Sequence, residues 1–225
     1  SILESLIHAG AENETEIDVI SIHSEHIDKS NVEELLNCLN GLIVAPGFGE
    51  RGIEGKITAI TYARENKIPF FGICLGMQMA VIEYARNKAG LVEANSTEMV
   101  PNCKVPVSDL MDSQKKIIKK GGTMRLGSWD CDLNENTISA NAYAVNSISE
   151  RHRHRYEFNN GYFEKVFDQD FIAAGTNPET GLVEIVEYKN HPWFVGVQFH
   201  PEYKSTVSTP HPLFKAFVKA SLGNK

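Results

Sequence analysis

Cys74 stands in Gly72-Ile73-Cys74-Leu75-Gly76, where an apolar run of strand character gives way to a helical one. Glycines two positions to either side suit a nucleophile elbow, a tight strand-to-helix turn with no room for a Cβ. A helix beginning at Leu75 would aim free N–H groups and its positive dipole end at the sulfur. That favours thiolate and draws the thiol below its free pKa of about 8.5. A thiolate nucleophile needs a base, and Phe199-His200-Pro201-Glu202 supplies one. Proline biases His200 to an extended backbone, where residues two apart share a face. Glu202 can then hold one imidazole nitrogen while the other faces the cysteine, the logic of a triad. The third element is the loop Pro46-Gly47-Phe48-Gly49, which follows the strand before the one carrying Cys74. A glycine N–H there, with that of Leu75, would make an oxyanion hole. Neither GK[ST] nor G-x-G-x-x-G accompanies this loop, so a Walker A or dinucleotide loop is rejected. Each motif alone also reads as ordinary structure: a buried cysteine, a surface His-Pro turn, a flexible connection. Together they specify one site.

Arg151-His152-Arg153-His154-Arg155 is unusual in an acidic chain. On a strand its arginines share one face and its histidines the other. The run reads either as an anion site for a carboxylate or phosphate, or as a solvated edge strand. No nearby Asp, Glu or Cys completes a ligand set for the two histidines, so no metal site is expected. Cys38, Cys74, Cys103 and Cys131 form no CxxC pair and are too scattered for zinc or a disulfide framework. Apart from Cys74, each is expected to be a small buried hydrophobe.

The elements that must position these residues follow from periodicity. A helix is expected over 1–9, stopped by Gly10, then a strand over Ile17 to His23 and a helix over Asn31 to Asn40. A buried strand over Gly41 to Ala45 runs into the 46–49 loop. Helix Ile53 to Asn66, strand Pro69 to Ile73 and helix Leu75 to Ala89 complete the βαβ rhythm of a parallel sheet. From about Asn95 the segments shorten, with a loop-like 95–98, a basic stretch over 115–122 and strands near Met124 and Glu150. A helix is expected over 164–168 and a strand over 171–175. Two late strands flank 189–192 as a hairpin, and an amphipathic helix over 211–222 closes the chain. The expected fold is a three-layer α/β domain with a mostly parallel central sheet flanked by helices. Opening on a helix suggests a first strand upstream of Ser1.

The 225 residues are 42% apolar and 23% charged, enough for one α/β core rather than a disordered chain. With 22 Lys and Arg against 29 Asp and Glu, the net charge of −7 argues against nucleic acid or an anionic membrane as partner. No apolar run approaches a membrane span, and no basic region precedes one. A soluble, cytoplasmic domain is expected.

GICLGMQ with QFHPE resembles the class I glutamine amidotransferases, whose triad is Cys-His-Glu. Longer strings (EANSTEMVP, GGTMRLG, ERHRHRYEFNN, NHPWFVGVQFHPE and HPLFKAFVKA) are similar to the glutaminase domains of the CTP synthase family. The resemblance implies Cys74 as nucleophile, His200 as acid/base and Glu202 as its orienting partner, with Gly47 and Leu75 lining the oxyanion hole. It implies glutamine held by Gly47, Leu75, Gly76, Met77 and Gln78, by Glu98 at the α-ammonium and by Arg155 at the α-carboxylate. Arg125 falls in a segment that the family links to a GTP response. No cofactor is implied for glutamine hydrolysis. For the full-length enzyme the resemblance implies ATP, Mg2+, UTP and a GTP effector, an upstream synthetase domain receiving the ammonia, and a homo-oligomer. One departure is Pro46, where the family usually has glycine. A γ-glutamyl peptidase or a catalytically silent scaffold are the competing readings. Glu98 and Arg155, suited to a free amino acid, argue against the first, and the intact triad against the second.

Overall fold

The computed structural model describes residues 1–110 and 124–224, so the basic stretch over 115–122 lies outside the described residues. Phe70–Ile73 (β2) is buried throughout, and its side chains alternate between two apolar layers. Phe70 meets Phe194 at 4.4 Å between ring centroids, while Phe71 points the other way onto Phe214 at 5.3 Å. A strand buried on both faces must have helices on both sides. Helices Ile53–Glu65 (α3) and Leu75–Asn87 (α4) cover one face, and Ile2–Glu12 (α1) and Pro212–Leu222 (α7) the other. Helix α4 is buried from Leu75 to Ala85 and is apolar nearly all round, as a central helix must be. Its one interior carboxylate, Glu83, is held bidentately by the buried Arg64 of α3 at 2.9–3.1 Å.

Among the described residues the central sheet has seven strands. They are Leu42–Val44 (β1), β2, Arg125–Leu133 (β5), Ser147–His154 (β6), Phe171–Thr176 (β8), Val183–Tyr188 (β9) and Phe194–Val197 (β10). Their spatial order is β1-β2-β10-β9-β8-β5-β6. The three-layer α/β class expected from the sequence is the one observed, but the expected mostly parallel sheet is corrected to a mixed one. Parallel pairing is confined to β1, β2 and β10, and the remaining pairings are antiparallel. A second sheet of three strands, Ala94–Ser96 (β3), Val105–Leu110 (β4) and Tyr156–Phe158 (β7), packs against α4. The short helices Val32–Leu36 (α2), Ile138–Tyr143 (α5) and Phe163–Val166 (α6) fill the connections.

Three expectations change. Ile17 to His23 joins neither sheet, and Val19 and Ile20 stay exposed at 42% and 55%. Alternation signals a half-buried surface, and here Ile17 and Ile22 pack on the core without any strand pairing. Residues 95–96, read as loop, belong to β3. Cys38 is exposed, because α2 ends at Leu36 and leaves it on a surface turn.

Candidate active site

Cys74 sits between the last residue of β2 and the first of α4 with φ 53° and ψ −102°, a conformation that L-residues seldom adopt. Packing imposes it. A Cβ on Gly72 would lie 2.7 Å from the carbonyl atoms of Gly76, and one on Gly76 would lie 2.2 Å from the Val44 oxygen of β1. Only two glycines let helix α4 begin this close to the sheet. The Cys74 N–H donates to the Val197 carbonyl of β10 at 2.7 Å, which fixes the elbow from the other side.

Burial pushes the Cys74 thiol up to about 12, although the Leu75 N–H and the Gln198 amide pull it down by hydrogen bonding. The sequence-based expectation of a thiol below its free value is therefore corrected. The helix end acts as expected, but removal from water outweighs it, and the carboxylates of Glu202 and Glu98 add to the rise. The resting nucleophile is a thiol, so the proton must leave as the sulfur attacks.

His200 and Glu202 come together through a different backbone than expected. A 3-10 turn over Pro201–Tyr203 follows His200 at once, and this turn swings Glu202 beneath the ring. His200 Nδ1 lies 2.7 Å from Glu202 Oε1, both residues are buried, and the imidazole stacks on Tyr203 at 4.9 Å. The His200 N–H donates to the Arg151 carbonyl of β6 at 2.8 Å. With Nδ1 committed to the carboxylate, Nε2 is buried and has no hydrogen-bond partner among the described residues, leaving it available to the chemistry.

The 46–49 loop does lie beside the elbow, since a Cβ on Gly47 would meet the Leu75 side chain at 3.2 Å. Glu98 Oε1 accepts from the Gly49 N–H at 3.1 Å and so tethers the loop, while Phe48 at its tip is 89% exposed. Gln78 is buried on the first turns of α4, and the Met77 side chain lies in the core, so only its backbone faces the elbow region, donating to the Cys74 carbonyl at 3.1 Å. Arg155 follows β6 in the bend before β7 and is half-buried. The arginine run does not converge: Arg151 and Arg153 point to solvent from edge strand β6, the solvated reading, and Arg155 lies beyond that strand. Arg125 is a core residue, its Nη1 2.7 Å from Glu184 Oε1 and its guanidinium 4.5 Å from the Trp129 ring.

The inward face of β6 carries a polar layer that sequence reasoning missed. Its only sequence signal is the His-x-His alternation. The Tyr156 carbonyl can only accept, so His154 Nδ1 bears the proton at 3.1 Å, and His154 Nε2 accepts from His152 Nδ1 at 2.9 Å. His152 Nε2 is then the lone-pair side, facing Glu184 Oε2 at 3.7 Å. Burial, with the charge of Arg125, drives His154 down to about 3; burial, with His154 and Arg125, drives His152 to about 2. Burial raises Glu184 to about 7 against the pull of Arg125. The three act with opposite signs. Between pH 4.5 and 6.5 the unfolded chain takes up two histidine protons that the folded state refuses, while folded Glu184 keeps one that the unfolded state releases. The two histidines outweigh the one carboxyl, so the layer's contribution to stability falls as pH falls through this window. Below the usual glutamate pKa of about 4.5 Glu184 is protonated in both states and no longer opposes the histidines, so the fall steepens. Chemical denaturation should therefore give a lower stability at pH 4.5 than at pH 6.5, and replacing both His152 and His154 with non-titrating residues should flatten that difference.

Against known proteins, the family model for class I glutamine amidotransferases matches residues 1–220. The chain belongs to the class I glutamine amidotransferase family. It is 63% identical over 222 residues to a CTP synthase of Flavobacterium johnsoniae, covering 99% of this chain and 41% of that protein. A Clostridium acetobutylicum CTP synthase is 57% identical over 221 residues, again with 41% of its length covered. The chain thus spans about two fifths of these relatives. Among solved structures, the glutaminase domain of the Trypanosoma brucei CTPS with bound acivicin superposes with a TM-score of 0.91 at 36% identity, covering 100% of this chain and 88% of that one. A putative GMP synthase component from Thermoplasma acidophilum, at 17% identity and a TM-score of 0.61, shares the fold; the match covers 99% of this chain and 89% of that one.

Proposed function

We propose that this chain is a glutaminase domain that hydrolyses L-glutamine to glutamate and ammonia through a thioester on Cys74. One observation carries the reading: a cysteine on a strained elbow at the end of β2 lies beside the end of β10, from which the chain runs on to an imidazole that a carboxylate orients at 2.7 Å. The charge of that carboxylate acts on the Cys74 thiol. Because Cys74 rests as a thiol, attack and deprotonation are coupled. Its proton passes to His200 Nε2 as Sγ bonds to the side-chain amide carbon, and Glu202 stabilises the imidazolium. The N–H groups of Gly47 and Leu75 hold the oxyanion. His200 then protonates the departing nitrogen, the C–N bond breaks, and ammonia leaves a glutamyl thioester. Water, deprotonated by His200, attacks that ester and releases glutamate and the thiol. Glu98 receives the α-ammonium with the oxygen that Gly49 does not use, Arg155 receives the α-carboxylate, and Gly76, Met77 and Gln78 frame the side chain.

In the whole protein the ammonia would pass to an upstream synthetase domain, where UTP activated by ATP with Mg2+ is aminated to CTP under GTP control. The relatives' names and the two-fifths coverage support this; a homo-oligomer working in the cytoplasm belongs to the same proposal. Among the described residues no helix is long and apolar enough to cross a membrane, and no group of three His, Cys, Asp or Glu could hold a metal.

The test is a glutamine-directed electrophile followed by peptide mass mapping, beside a glutaminase assay with and without GTP. Modification at Cys74, blocked by glutamine, is the expected result. Reaction at the exposed Cys38 in preference to Cys74 would sink the reading.

A further inference from the structure

Gln198 is fully buried directly after β10, in an otherwise apolar run. The parallel register pairs Val197 with Ile73, which makes Gln198 the lateral neighbour of Cys74. Its Nε2 lies 3.7 Å from Sγ, within reach for the large sulfur atom. The two ends of an amide side chain have the same shape, so its orientation follows from the hydrogen-bond network around it.

Here the network decides it. The Tyr156 carbonyl can only accept, so the Gln78 atom 2.9 Å away is Nε2. The remaining hydrogen of that nitrogen points to Gln198 Oε1 at 3.3 Å, which leaves the Gln198 NH2 for the sulfur. On its other side Gln78 Oε1 accepts from Ser108 Oγ at 3.1 Å. Ser108 Oγ accepts from Ser96 Oγ at 3.3 Å, and Ser96 Oγ accepts from the Glu98 N–H at 3.2 Å. Every link therefore donates in the same sense, from the backbone of Glu98 to the sulfur of Cys74. Ser96, Ser108, Gln78 and Gln198 are all buried, and aligned donors in a low-dielectric chain polarise one another. A chain of this sense ends in a positive dipole at Sγ and would be needless for a cysteine that only packs.

We infer that Gln198 is a catalytic residue, its amide N–H donating to the Cys74 sulfur as negative charge develops there, with Gln78 and Ser108 as positioning residues that fix the direction of that amide. Resting on the glutaminase reading, this adds a donor on the sulfur side of the reaction, opposite the oxyanion hole. It also gives Gln78 a task besides framing glutamine. The segment of Glu98 that receives the substrate ammonium and tethers the 46–49 loop thereby joins the nucleophile through five hydrogen bonds in series.

The test uses full-length protein and follows iodoacetamide alkylation of Cys74 by mass between pH 7 and 9, which needs no glutamine turnover. In Gln198→Met, which keeps the volume and loses the donor, the Cys74 rate should fall about ten-fold at each pH, one unit of thiolate pKa. Loosened packing alone would expose the thiol and speed alkylation, so an unchanged or faster rate overturns the inference. Gln198→Asn retains the amide but withdraws it by one methylene. It should slow alkylation in the same direction, and it decides the matter if the methionine variant does not fold. In the glutaminase assay kcat should fall with KM within about two-fold. Wild-type protein without glutaminase activity would defeat the functional reading alone, since the alkylation comparison stands apart from it.

Discussion

Cys74→Ala lowers glutamine hydrolysis by at least about 10^4-fold while the protein stays folded. Removing the nucleophile of a covalent mechanism costs most of the rate above background, because binding and oxyanion donors alone recover little of it. Folding survives because the side chain contributes one sulfur atom to the core and the elbow is enforced by its neighbours. The backbone N–H of residue 74 still reaches the Val197 carbonyl, and the two flanking glycines are untouched. Glutamine affinity, read by isothermal titration, should change by less than about ten-fold, since the α-groups are held by other residues. Hydrolysis persisting in this variant would contradict the thioester outright.

Gly76→Ala should destabilise the fold by about 3 kcal/mol or more and abolish activity with it. The new Cβ would lie 2.2 Å from the Val44 oxygen and 3.1 Å from its carbonyl carbon, which are backbone atoms and not a side-chain end that could turn aside. Helix α4 must move off β1, and overpacking of this kind against a rigid sheet lies at the severe end of single substitutions. For a chain of this size the melting temperature should drop by roughly 6–12 °C. Gly90→Ala is the control. That residue has φ +73° but open space around it, so only backbone strain of about 1 kcal/mol is expected. Equal losses at the two sites would show that the close approach at Gly76 has been misjudged.

The parts of this molecule that were legible in the sequence are those whose physics is local. A cysteine between spaced glycines at a strand-helix boundary suits an elbow as well as a plain buried cysteine, and the Gly72–Gly76 contact with the positive φ of Cys74 shows the elbow. The run from Gly41 to Ala89 reads as βαβ because each element carries its own periodicity, and its strands pair in parallel. What was hidden depends on partners distant in sequence. The sheet is mixed because β5, β6, β8 and β9 add antiparallel to a parallel core, and no single segment announces its neighbour's direction. His200 and Glu202 do meet, but a 3-10 turn and not an extended segment joins them. The thiol was misjudged because a helix N-terminus is visible in a sequence, whereas the depth at which it is buried is not. Gln198, flanked by apolar neighbours, looked like part of a motif string, and its direction became apparent only once Tyr156 and Gln78 were seen beside it.

Keeping Cys74 protonated until it reacts has a consequence for survival as well as for rate. Peroxides attack thiolates far faster than thiols, and the first product, a sulfenic acid, leads on to irreversible acids. A sulfur held near a pKa of about 12 and shut away from water is a poor target for such oxidants between turnovers. The same burial that obliges His200 to remove a proton during each attack thus acts, at rest, as the nucleophile's protection against oxidative damage.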